Sequence, residues 1–135
     1  MSLSTTDKVL EVNMTKENAK ILVCDDSILA RKSLTNLLNA LGITNIIEAA
    51  NGQAAVDLCI AEKPDVVFLD IIMPVKDGIT ATKEIMASCP QTKVIICSSV
   101  GTQTHLKEAI KAGAKDFLQK PVEGATLKQV IDHIF

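Results

Sequence analysis

The chain has 135 residues, of which 47% are apolar and 22% charged, with a formal net charge of −2. That length fits one domain with a real core, and the absence of a basic run argues against direct nucleic-acid binding. No apolar run has the length of a membrane span, the N-terminus has no apolar signal-peptide core, and Phe68, Phe117 and Phe135 are the only aromatics, too few to stack bases or flavins.

Residues 1–19 read as a mixed polar tail, in which 8–12 could form a short strand or helical turn and the rest is unassigned. The domain is expected over 20–135. Ile21–Cys24 is a short apolar run, the pattern of a buried strand. Ser27 is a plausible N-cap. Ile28, Leu29, Leu34, Leu37, Leu38 and Leu41 then recur at helical spacing until Gly42. Residues 44–49 form a second strand. Asn51 caps a second helix carrying Ala54, Ala55, Leu58 and Cys59, closed before Pro64. Residues 65–69 are a third strand, followed by a loop and a third helix over 80–87, stopped by Pro90. Residues 93–97 are a fourth strand, 102–112 a fourth helix ended by Gly113, Asp116–Gln119 a fifth strand and 125–134 a fifth helix.

Cys24, Cys59, Cys89 and Cys97 are widely spaced with no CxxC pair. They read as small buried residues in a reducing compartment, and the cytoplasm is the expected location. Five strand–helix units in strict alternation imply an α/β domain, a single doubly wound parallel sheet with helices on both faces. Strands one, three and four are apolar throughout, as strands covered on both faces should be. Such a sheet binds its ligand outside the carboxyl ends of its strands.

The residues at those ends carry the chemistry. Strand one runs into Asp25 and Asp26, strand three into Asp70, strand four into Ser98 and Ser99, and strand five into Lys120. Two like charges about 4 Å apart repel by roughly 4 kcal/mol at an effective dielectric of 20. Three carboxylates on one rim therefore call for a hard divalent cation, and magnesium takes oxygen ligands and bridges to phosphate. A carboxylate there can also act as a nucleophile towards phosphorus, giving an acyl phosphate. Lys120 would neutralise oxygens of the transferred group. A bare alternative exists for each: Asp25 as a helix cap beside Ser27, Asp70 as a turn residue, Lys120 as solvated surface, Ser99 as the working hydroxyl.

The ordered set Asp25-Asp26, Asp70 with Met73-Pro74 and Asp77-Gly78, Ser98, and Lys120-Pro121 resembles the receiver domain of bacterial two-component response regulators, especially the single-domain chemotaxis type. The match covers about residues 19–135. The resemblance implies a five-stranded, flavodoxin-like sheet of order 2-1-3-4-5 with five helices. It makes Asp70 the phosphoacceptor, with Asp25, Asp26, Asp70 and the backbone carbonyl of Ile72 around Mg2+. It makes Ser98 the switch hydroxyl, Lys120 the phosphoryl contact, and Lys120-Pro121 a cis peptide. Phe117 falls at the switch aromatic, often Tyr in the family, so switching there would act by packing alone; an ordinary core role suits it too.

The resemblance further implies a signal relay and not an enzyme with an external substrate. A sensor histidine kinase or phosphotransfer protein would supply the phosphoryl group. The surface of helix four, strand five and helix five would then change to control a downstream protein or an output domain outside this chain, and phosphorylation could bring homodimerisation. Ile72 and Val100 fall where the family tunes water attack on the acyl phosphate. Both are apolar, which predicts a long-lived phosphorylated form. His105 and His133 have no partner acid in sequence and read as surface residues. A haloacid-dehalogenase-type hydrolase would need an acid where Ile72 stands. A flavin carrier would need a phosphate loop after strand one, where Asp25-Asp26-Ser27 stands. A pseudo-receiver would not need the complete acid set.

Overall fold

A computed structural model describes residues 15–99 and 103–135. Five strands alternate with five helices: β1 Ile21–Cys24, α1 Ile28–Ala40, β2 Ile46–Ala49, α2 Gly52–Glu62, β3 Val66–Leu69, α3 Gly78–Ser88, β4 Lys93–Ser98, α4 Gln103–Ala112, β5 Asp116–Gln119 and α5 Gly124–Ile134. All strand pairs are parallel, in the order β2-β1-β3-β4-β5. The three strands that read as apolar throughout are the three central ones. β1 and β3 are buried along their whole length, whereas the edge strands β2 and β5 are only partly covered.

Side chains alternate across a strand, and here the alternation feeds two separate cores. Leu22, Cys24, Val67, Leu69, Val94 and Ile96 pack on one face with Ala55 and Cys59 of α2, Ala81 and Ile85 of α3 and Ala109 of α4. Ile21, Val23, Val66, Phe68, Ile95 and Cys97 pack on the other with Leu34 and Leu38 of α1 and Leu127 and Ile131 of α5. Cys24, Cys59 and Cys97 are buried and all four cysteines are free, Cys89 being half-buried. Among the described residues no helix is long and apolar enough to cross a membrane.

The helix starts have local causes. Ser27 Oγ accepts from the Ala30 amide at 3.2 Å and Asn51 Oδ1 from the Ala54 amide at 2.8 Å, as their positions predict. α3 begins two residues before the expected Thr80, because Asp77 caps it: its carboxylate accepts from the Thr80 amide and hydroxyl, each at 2.9 Å. Ile28 and Leu29 fit the apolar spacing of α1 yet are 71% and 79% exposed. The first turn of α1 lies at the rim beyond the end of β1, so the sheet does not cover it. The tail assignment at 8–12 lies outside the described residues, as do Val100 and Thr102. Ala19, placed in the tail by sequence, is buried in the core beneath α1 and α5.

The loop from β3 to α3 carries backbone strain. The Lys76 amide donates to the Pro74 carbonyl at 2.7 Å, closing a three-residue turn around Val75, whose φ is +69°. A γ-turn with positive φ is rare and strained, and a β-branched residue suits it least. Val75 is also exposed, so packing does not repay the strain. Val75→Gly should therefore raise stability by about 1 kcal/mol, the relief exceeding the added freedom of the unfolded chain. A shifted denaturant midpoint at unchanged m-value would register it.

Candidate functional site

The parallel register brings the carboxyl ends of the strands to one rim. The Asp25 amide donates to the Ala49 carbonyl and the Asp70 amide to the Cys24 carbonyl, both at 3.1 Å, so each ladder continues one residue past its strand into an aspartate. Oxygens of Asp25, Asp26 and Asp70 lie within 4.8 Å of one another. Asp25 is buried, Asp70 half-buried and Asp26 exposed. The Lys120 ammonium donates to Asp25 Oδ2 and, at 3.0 Å, to Asp70 Oδ2, so it joins two of the three acids. Asp25 Oδ1 accepts from the Ser27 amide at 2.9 Å and Asp70 Oδ1 from the Ile71 amide at 2.8 Å. The sequence brought these four residues to the same rim, and the structure puts the three acids in mutual reach, with Lys120 on two of them.

Burial pushes the Asp70 carboxyl above the usual carboxylate range; the Lys120 contact opposes the shift and the charge of Asp25 adds to it. For Lys120, burial works against the charged form, but the bonds to Asp25 and Asp70 outweigh it and hold the ammonium above its ordinary value. The Cys24 and Cys97 thiols are pushed up to about 12, chiefly by burial, so neither offers a thiolate beside the acids.

Ser98 is buried at the end of β4, and its carbonyl accepts from the Lys120 amide at 2.9 Å; Ser99 is exposed. The Lys120–Pro121 peptide is cis. Phe117 is half-buried against the core on the α2, α3 and α4 face. The Ile72 side chain is 63% exposed. His133 is exposed as expected, whereas His105 is half-buried. Two features escaped the sequence. One is Arg31, whose guanidinium reaches the Asp25 carbonyl and Glu48; the lone charge in the apolar run of β2 was the available signal. The other is the packing role of Gly78, a residue of the quoted motif, which lies directly against the Asp70 carbonyl.

The three clustered side chains each offer a carboxylate oxygen, the donor type a small hard dication takes. A magnesium ion thus fits the residues present.

Comparison with known proteins points the same way. Residues 21–132 match the profile of the response regulator receiver domain. The chain is 40% identical over 115 residues to the chemotaxis protein CheY of Thermotoga maritima, covering 85% of this chain and 96% of that protein. It is also 40% identical over 113 residues to CheY of Bacillus subtilis, covering 84% and 94%. Among solved structures, the CheX–CheY–BeF3–Mg complex from Borrelia burgdorferi contains a chain with a TM-score of 0.82 and 35% identity, covering 87% of this chain and 89% of that one.

Proposed function

The chain belongs to the response regulator receiver domain family, whose members signal through phosphorylation, and from that premise we propose that Asp70 is its phosphoacceptor. The observation that carries this reading is the three-carboxylate cluster bridged by Lys120. Asp25, Asp26, Asp70 and the Ile72 carbonyl would hold Mg2+, which neutralises charge on the phosphoryl oxygens when bound. A carboxylate oxygen of Asp70 attacks phosphorus as the bond to the donor's imidazole nitrogen breaks, and the imidazole leaves. Lys120 stabilises the negative oxygens of the group in flight. Ser98 then turns to hold one phosphoryl oxygen, Phe117 repacks, and the surface of α4, β5 and α5 changes.

The donor is a sensor histidine kinase or phosphotransfer protein in the cytoplasm. An open cleft of about 370 Å³ between α1 and the Lys120–Val122 segment, lined by Ala30, Ser33, Leu34 and Cys97, lies beside the acids and would seat one of its side chains. The reader of the signal is a downstream protein, an output domain or a second copy of this chain. The protein assists its own phosphorylation and slow dephosphorylation, and turns over no external substrate. Intact mass after treatment with acetyl phosphate and magnesium tests the reading: one added phosphoryl group is expected, and none would overturn it.

The side chain of Ile72 is exposed and offers no polar group to orient a water. Phosphorylated protein should accordingly be long-lived. Ile72→Asn should shorten its half-life, timed by phosphate release, on the order of tenfold.

A further inference from the structure

Every polar atom of Asp25 has a partner. Its amide bonds the Ala49 carbonyl, Oδ1 the Ser27 amide and Oδ2 the Lys120 ammonium. The fourth atom, the backbone carbonyl, accepts from Arg31 Nη1 at 2.7 Å. This carbonyl belongs to neither a helix nor a strand, so no secondary structure dictates where it points. The same guanidinium donates through Nε to Glu48 Oε1 at 2.9 Å. Glu48 lies on β2, in register with Val23 on β1. The Arg31 side chain is 15% exposed and that of Glu48 51%. A long side chain is thus anchored at both ends of its fork, from α1 to the β1–α1 junction and to β2.

The clamped carbonyl is half of the peptide that joins Asp25 to Asp26. Freeing that peptide lets the ψ of Asp25 and the φ of Asp26 change independently, and with them the placement of the Asp26 Cα and its side chain. Asp26 is the exposed acid of the three, so the direction of its carboxylate depends on its backbone. We propose that Arg31 is a positioning residue for the magnesium site, holding the Asp25–Asp26 peptide so that Asp26 faces Asp25 and Asp70. This rests on the reading of that site given above. Glu48 acts through Arg31, aiming the planar fork, which a lysine ammonium cannot imitate.

Charge and geometry predict opposite signs here. Arg31 places a positive charge near a cation site, so a purely electrostatic role makes Arg31→Ala bind Mg2+ more tightly. A clamp makes it bind more weakly. Calorimetric titration of the full chain with Mg2+ separates them. The expected result is about tenfold weaker affinity in Arg31→Ala, the scale of losing an outer support of a metal ligand, and a smaller loss in Arg31→Lys. With acetyl phosphate as donor, Arg31→Ala should need more Mg2+ for half-maximal phosphorylation yet reach the wild-type rate at saturation. The Asp26 amide resonance should also shift in the metal-free protein.

Unchanged or tighter Mg2+ binding in Arg31→Ala overturns the proposal. If that variant does not fold, wild-type affinity in Arg31→Lys does so. Failure of the wild type to bind Mg2+ or take up a phosphoryl group would instead overturn the site reading itself.

Discussion

Asp70→Asn should gain no phosphoryl mass under conditions where the wild type gains one, and should be the more stable protein without divalent ions. The first effect is complete because the amide has no anionic oxygen to attack phosphorus. The second follows from the direction of the Asp70 shift. Burial raises its folded-state pKa above the unfolded value, with Lys120 pulling against that shift. Between the unfolded and folded pKa the native state binds more protons, so wild-type stability falls as pH rises through that window. At neutral pH the charged carboxylate is a cost that Asn lacks. The variant's advantage, read as a difference in melting temperature, should shrink as pH falls through that window and be gone below about 4, the ordinary carboxylate value. Added Mg2+ should narrow the gap from the other side, because it stabilises the protein that binds it better. Equal melting temperatures at neutral pH in chelator would contradict this account.

Gly78→Ala should cost about 3 kcal/mol or more, at the upper end of overpacking effects. A Cβ on Gly78 would stand 2.0 Å from the Asp70 carbonyl oxygen, 2.8 Å from its carbon and 2.9 Å from the Ile71 Cα. All three atoms are backbone, so no rotamer change relieves the clash. The Gly78 amide is bonded to the Ile71 carbonyl at 2.7 Å, which keeps the two segments pressed together. Relief requires moving Asp70, and a displacement of about 1 Å at a reacting group can cost on the order of 100-fold in rate. Denaturant melts and phosphorylation by acetyl phosphate should both register the change. Gly42→Ala is the control: φ is +90°, but nothing lies within 4 Å of the added methyl, so stability falls while the rate holds.

The architecture was legible because its signal is local. Apolar runs on strands one, three and four marked the central strands, and Ser27 and Asn51 marked helix starts through their own side chains. The aspartates and Lys120 were legible because strand ends define the rim. What periodicity could not show was where the sheet stops covering a helix, which is why Ile28 and Leu29 fit the apolar pattern yet face solvent. Nor could it show pairings set by register, such as Arg31 with Glu48, 17 residues apart on different elements. The early start of α3 was hidden because Gly78 is a poor helix former on propensity. Its place there reflects the close passage of Asp70, a tertiary fact.

The central strands give alternate residues to opposite sides, so one set of backbone hydrogen bonds is a common wall for both apolar layers. Neither layer can melt while the other survives, since melting either means dissolving the wall. Heat should therefore take the domain apart in a single cooperative step, with calorimetric and van't Hoff enthalpies agreeing.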